Sequence, residues 1–442
     1  MKEFELEENI LYGDSNSEVL NDMTKFDITF NLVEERTGYL MYVEYNSELY
    51  EESFINKILD SMAEVISNET NKYDDSFKNV EYIPKEEKKY IISKFNNNTF
   101  AYDNNKLYHE EFSRIAKKHP RKYAIICNEN IINFKELDEM TNSLAHHLRR
   151  SNVGRGDIVP IISERSFYYI VGAIAIMKAG GAFLPIDPEF PEDRILYMIN
   201  EANAKFALTY ITNSKSNMKL NNCNIRSYKL ENHDYSKFRY EIENVKSSDD
   251  LCYVIFTSGT TGKPKGTLIC HDNLINYCLY SQSYNGIQII TNKFKNSLAC
   301  SKYTFDMSIC EIFYPIINSK SVYMCNELEY NNPELLGRII IKHRIDYIFS
   351  TPSRIENYMK ERIFEDALVK VKCILLGGEK LTLQTFENII NQYRTKSLGY
   401  LDDLYRLFFN KYNNLFVIHL TPSLKITKTI HNYIFTFFFV KF

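Results

Sequence analysis

The chain has 442 residues, 44% of them hydrophobic, which is long enough for roughly two to three domains with a sizeable core. Its 53 basic and 57 acidic residues are spread along the sequence and leave a formal charge of -4, which argues against a nucleic-acid footprint and against a polybasic membrane patch. Nine cysteines, an odd number with no Cys-x-x-Cys pair, argue against a disulfide framework and fit a reducing, cytoplasmic setting. The acidic N-terminus is unlike a signal peptide, and the apolar segment at 433–440 is far too short to span a bilayer.

In chain order, the alternating run Phe26-Asp27-Ile28-Thr29-Phe30 and the segment Leu40 to Tyr45 predict strands, and Phe54, Ile55, Ile58, Leu59, Met62 and Val65 fall on one helical face. Residues 76–106, and most clearly Lys94 to Lys106 with Phe95-Asn96-Asn97-Asn98-Thr99, read as an exposed linker. From about 107, helices near 108–118, 135–151 and 167–179 alternate with strands near 123–127 and 158–162, which predicts a layered α/β fold. His146-His147 sits beside Leu144 and Leu148 in an amphipathic helix and reads as helix surface. Pro191, followed by Glu192 and Asp193, starts a further helix, because proline lacks an N–H that the first turn cannot use and acids favour the positive end of the dipole. Residues 203–206 lead into one more short strand, and 211–250, rich in Asn, Ser and Lys, are expected to be loops.

The apolar run Leu251 to Phe256 then reads as a buried strand, and Thr257-Ser258-Gly259-Thr260-Thr261-Gly262-Lys263-Pro264-Lys265-Gly266 follows it directly. The three glycines admit dihedrals that let N–H groups converge on an anion, and the hydroxyls and lysines add donors and charge, so the segment predicts a polyphosphate-binding loop. A Gly/Ser/Thr surface turn is the competing reading, and the buried-strand pattern immediately upstream weighs against it. A Walker loop is excluded, since Gly259 and Gly262 are too close together and no Gly-Lys-Ser/Thr follows at the required spacing.

That loop resembles the signature of the adenylate-forming superfamily, which joins carboxylates to AMP using ATP, and in particular the adenylation domains of nonribosomal peptide synthetases. Ile132 to Leu137, Met177 to Asp187, Tyr303-Thr304-Phe305-Asp306-Met307-Ser308 and Leu375-Leu376-Gly377-Gly378-Glu379 resemble further motifs in the same order. The resemblance implies an α/β fold, the large N-terminal subdomain of the adenylate-forming (AMP-binding) enzymes, over residues 107–393. It implies that residues 1–75 are the C-terminal remnant of an α+β condensation domain, though that domain's His-His-x-x-x-Asp-Gly motif is missing, and that 394–442 are a divergent tail. By the same resemblance Thr257, Ser258, Gly259, Thr260, Thr261, Gly262 and Lys265 hold the ATP phosphates, and Gly377, Gly378 and Glu379 line the adenylate cleft. Asp306 binds the α-ammonium of an amino acid, and Met307, Cys310, Phe349, Leu375 and Gly377 form the walls of its pocket. Plain structural roles stand beside these: a solvent-facing strand residue for Asp306, a helix-stop turn for Gly377-Gly378, and core packing for Met307, Phe349 and Leu375.

The expected partners are ATP, Mg2+, an amino acid and other synthetase or carrier-protein modules. The family's Asn-x-Tyr-Gly-Pro-Thr-Glu motif is due near 395–405, where this chain reads Thr395-Lys396-Ser397-Leu398-Gly399-Tyr400. The later ribose-binding acid and the C-terminal subdomain with its lysine are not found either, so no catalytic residue is assigned. The chain is expected to be a truncated synthetase, with impaired ATP-dependent amino-acid activation. An acyl-CoA or aryl-acid ligase and a non-catalytic assembly fragment remain the alternatives.

Overall fold

The computed structural model describes residues 26–34, 36, 39–69, 81–95, 101–212, 225–257, 263–280, 294–379, most of 381–389, 406–409 and 416–419. The chain divides into two compact units, Met1–Ala101 and Tyr102–Phe442. In the first, strands β1 (Ile28–Glu34) and β2 (Tyr39–Tyr45) pair antiparallel and are followed by a helix over Glu52–Glu69, as the alternating and then helical patterns predict. A short helix, Lys85–Tyr90, stands inside the stretch expected to be linker. Its Glu86 and Glu87 lie in the first turn and Lys88 and Lys89 in the last, which complements the helix dipole without any buried apolar face.

The second unit is built on two sheets. One runs β10-β9-β6-β5-β7-β8, the other β15-β16-β14-β13-β11-β12-β3-β4. The first two strands along the chain, β3 (Tyr123–Cys127) and β4 (Asn130–Asn133), pair antiparallel at one edge of the larger sheet. Asn133 then caps the helix Phe134–Arg150: its side chain accepts from the Glu136 N–H at 2.9 Å, and the Glu136 carboxylate accepts from the Asn133 N–H at 3.0 Å. This reciprocal box satisfies two of the donors that a helix start leaves unpaired. Strands β5 (Ile158–Ser163), β6 (Ala182–Ile186) and β7 (Phe206–Tyr210) are parallel, as crossover helices require.

The helix Phe167–Ala179 crosses from β5 to β6 and is apolar on all sides, with eleven of its thirteen residues buried. Such a helix belongs inside a domain, and this one packs against β5, β6 and β7 of one sheet and β3 of the other. Its one charged residue, Lys178, is buried and donates to Asp138 at 2.6 Å and Asn142 at 2.7 Å. Gly180 ends it at φ +108, where a Cβ would lie 2.8 Å from a Val245 methyl and 3.2 Å from the Arg155 nitrogen, so only glycine fits.

Two expectations need revision. The 211–250 region contains a strand, β8 (Arg226–Lys229), which adds parallel to the edge of β7, while 213–224 lie outside the described residues. Polar residues form it because an exposed edge strand buries little. His146 and His147 also do more than face solvent. His146 packs on Tyr240 (4.4 Å) and His147 on Tyr228 (4.0 Å), so the pair holds the 228–240 segment against the helix.

Candidate active site

Strand β9 (Leu251–Thr257) is buried from Cys252 to Phe256 and pairs antiparallel with β10 (Lys265–Cys270). Thr257 is the partner of Lys265 in this ladder, so the predicted phosphate loop is the connection of a hairpin, with one hydroxyl and one ammonium at its base. Ser258, Gly259, Thr260, Thr261 and Gly262 lie outside the described residues. The base is anchored by Tyr197, whose hydroxyl donates to the Pro264 carbonyl at 3.1 Å.

In the larger sheet β11 (Asn296–Ala299) lies parallel both to β12 (Ser321–Met324) and to β13 (Tyr347–Ser350), and β13 in turn to β14 (Cys373–Leu376). The chain past the C-terminal ends of β11, β13 and β14 supplies one wall of a cavity of about 830 Å³, and Tyr253 and Ile269 of the β9–β10 hairpin belong to another. Carboxyl ends of adjacent parallel strands are where open α/β sheets place their ligands. On the far side of β14 the sheet gains two antiparallel strands, β15 (Arg406–Phe409) and β16 (Phe416–His419).

Asp306, Met307, Cys310, Phe349, Gly377 and Gly378 all line this one cavity, although they come from three separate segments. Leu375 does not. It sits beside Phe349 across the β13–β14 ladder and packs into the core. Glu379 is exposed and accepts from the Ser353 N–H at 3.3 Å. Gly378 holds φ +83, and the Gly377 N–H bonds the Ser350 carbonyl at 3.1 Å, so the chain turns sharply off β14 with bare backbone toward the cavity.

Asp306 sits in the turn after β11, and burial among Tyr253, Met307 and their neighbours raises its carboxyl above the ordinary value, with backbone N–H groups of Met307 and Asp306 opposing the shift. The turn is fastened from below by Glu311, which is wholly buried. One carboxylate oxygen accepts from the N–H groups of Cys300 (3.0 Å) and Ser301 (2.8 Å), and the other from the Ser301 hydroxyl (2.7 Å). Burial nonetheless pushes Glu311 up to about 7. Deeper in the cavity the Tyr277 hydroxyl contacts the Cys310 thiol at 2.6 Å, and burial raises that thiol far above its usual range, so it is a neutral wall.

Several lining residues carry no motif signal. Tyr277 lies four residues after Asn273, on the same face of a short helical segment, which is a spacing that a search for helical faces would have found. Tyr330 and Arg354 belong to separate helices, and nothing in their local sequence marks them.

Comparison with known proteins places this geometry. The chain is 29% identical over 384 residues to Bacitracin synthase 1 of Bacillus licheniformis, covering 84% of this chain and 7% of that protein. It is 30% identical over 368 residues to Gramicidin S synthase 2 of Brevibacillus brevis, covering 83% and 8%. The chain thus spans only a small part of the length of these curated relatives. Among solved structures, the nonribosomal peptide synthetase FmoA3 superposes with a TM-score of 0.66 at 18% identity over 83% of this chain and 39% of that one. The N-terminal subdomain of Klebsiella oxytoca NpsA gives 0.57 at 21% identity over 65% and 72%, so the fold is that of an adenylation N-terminal subdomain. The model of the AMP-binding enzymes matches residues 112–400, which include both the hairpin and every strand end that lines the cavity, and the chain belongs to that family.

Proposed function

We propose that the cavity binds ATP and an amino acid, and that its chemistry is the activation of the amino acid as an aminoacyl-adenylate in nonribosomal peptide synthesis. The observation that carries this is Asp306: a half-buried carboxylate without a cation within 4 Å among the described residues, in a cavity otherwise walled by Tyr253, Met307, Cys310 and Phe349. A carboxylate desolvated in that way invites an ammonium group, and an acyl or aryl acid offers none. FmoA3 has been solved with α-methyl-L-serine-AMP, and NpsA with a 3-hydroxybenzoyl analogue, so the fold accommodates both kinds of acid and the choice rests on this chain's own residues.

In the reaction a carboxylate oxygen attacks the α-phosphorus, the bond from that phosphorus to the bridging oxygen breaks, and pyrophosphate leaves with the electron pair. Two anions must meet, so catalysis is mainly positioning and neutralisation of charge. Asp306 would hold the ammonium, Gly377 and Gly378 would let the adenylate approach bare backbone, and Thr257, Lys265 and the loop between them would hold the departing phosphates. Magnesium would enter with ATP as MgATP and neutralise charge on the departing phosphates; among the described residues no group of three or more His, Cys, Asp or Glu side chains gathers.

Because residues 395–403 do not match the family's next motif, we infer that binding outlasts catalysis in this chain, with docking to other synthetase or carrier modules as its remaining context. The first unit's condensation-domain kinship rests on sequence resemblance alone. Calorimetric titration with ATP and a panel of amino acids, run beside amino-acid-dependent exchange of pyrophosphate into ATP, tests both steps. Preference for a fatty or aryl acid over every amino acid would overturn the substrate class, and exchange at a normal rate would overturn the impairment.

A further inference from the structure

Asp306 has a counterpart of opposite sign. Arg354, in the helix Pro352–Tyr358 after β13, lines the same cavity. Its guanidinium lies 4.4 Å from the centre of the Tyr330 ring and donates from Nη2 to the Tyr330 hydroxyl. Tyr330 is itself fixed, since its carbonyl accepts from the Tyr358 hydroxyl at 2.8 Å and the guanidinium of Arg165 lies 4.3 Å from its ring. Arg165 has a carboxylate, Glu327, at 3.3 Å. Arg354 has none within 4 Å among the described residues, and its Nε and Nη1 donate to no described group. Glu311 acts on Arg354 and Arg165 only through space: its oxygens accept from Cys300 and Ser301, and it forms no ion pair within 4 Å with either guanidinium. Lys302, the other cation on the wall, is committed to Asp187 at 2.7 Å.

The cavity therefore carries one carboxylate and one guanidinium that have no ion-pair partner within 4 Å among the described residues, following neighbouring parallel strands β11 and β13. A guanidinium held against an aromatic ring and by one hydrogen bond keeps its remaining donors for an oxyanion. We propose that Arg354 is a binding residue for an oxyanion of the ligands that share this cavity with the ammonium group held by Asp306. That oxyanion is either the phosphate of the nucleotide or the side-chain carboxylate of an acidic amino acid. The inference rests on the adenylation reading and adds to it a residue that selects for charge.

The test is calorimetric titration of the full chain, wild type, Arg354→Met and Arg354→Lys, with AMP, adenosine, glutamate, aspartate and leucine, after thermal melts confirm that the variants fold. The expected result is a loss of about tenfold or more in Arg354→Met, partly restored in Arg354→Lys, for AMP if the phosphate is the source or for glutamate or aspartate if the side chain is. Adenosine and leucine should bind as in wild type. Affinities for AMP, glutamate and aspartate all within twofold of wild type overturn the inference, as does an equal loss for adenosine and leucine, which marks a merely structural arginine. Wild type that binds neither nucleotide nor amino acid overturns the adenylation reading and this one with it.

Discussion

Replacing Glu311 by glutamine should remove a pH dependence of stability and leave the site in place. Glu311 has an ordinary carboxyl value of 4.5 and is pushed by burial up to about 7 in the folded chain. Between those values the folded state holds more protons than the unfolded state, so stability falls as pH rises. Its contribution is full below about 4.5 and is lost as pH passes through about 7. The difference of about 2.5 pH units corresponds to about 3 kcal/mol against the ionised form at pH 8. Glutamine keeps an oxygen for the Cys300 and Ser301 N–H groups and turns an NH2 to the Ser301 hydroxyl, so Glu311→Gln retains the clamp without the charge. Alanine leaves those two N–H groups buried and unpaired, at about 1 to 3 kcal/mol each.

The assay is urea unfolding of wild type and both variants from pH 5 to 8, followed by circular dichroism. The imidazoles of His109, lowered by burial to about 3, and His233, lowered to about 4, have the opposite sense: they cost stability as pH falls below 6.5. They are common to all three proteins and cancel in the difference. Glu311→Gln should gain on wild type with rising pH, by about 3 kcal/mol at pH 8, and Glu311→Ala should be the least stable near pH 5. A wild type and a Glu311→Gln variant with parallel pH curves would refute the reasoning.

Three other outcomes follow from the same geometry. Lys178→Met should cost about 1 to 3 kcal/mol by leaving the partly buried Asp138 without its cation, and Asp138→Leu in the same chain should recover most of it; additive losses in the double variant, again by urea unfolding, would show that the pair is not coupled. Gly180→Ala should lower stability by about 1 to 2 kcal/mol or more, because both the φ of +108 and the 2.8 Å approach of Val245 oppose a Cβ; an unchanged melting temperature would count against it. Asp306→Asn should weaken amino-acid binding by about a hundredfold and spare AMP. Because burial raises its carboxyl, wild-type amino-acid affinity should fall on acidification while the pH is still above the ordinary carboxylate value of 3.8; an affinity that stays flat down to pH 4 in calorimetry would contradict the assignment.

What was legible in the sequence was whatever is encoded locally. The helix Phe167–Ala179 shows its burial in its own composition, and Pro191 with Glu192 and Asp193 marks the start of the helix Glu192–Glu201 within a few residues. Asp306, Met307 and Cys310 are placed on one wall by motif resemblance, and the fold carries them on a single turn and the helical segment after it. What stayed hidden depends on strand order. Nothing near Arg354 says that β13 lies beside β11, so its convergence with Asp306 on one cavity exists only once the parallel ladder is formed. Leu375 shows the converse: it is the ladder partner of Phe349 and shares the same buried cluster, yet only Phe349 lines the cavity, and nothing within its own segment distinguishes the two. A motif fixes which segment reaches a site, whereas the neighbouring strand fixes which of its side chains meets the ligand. The charge that completes the cavity opposite in sign to Asp306 is therefore the part of the site that had to be read from the fold.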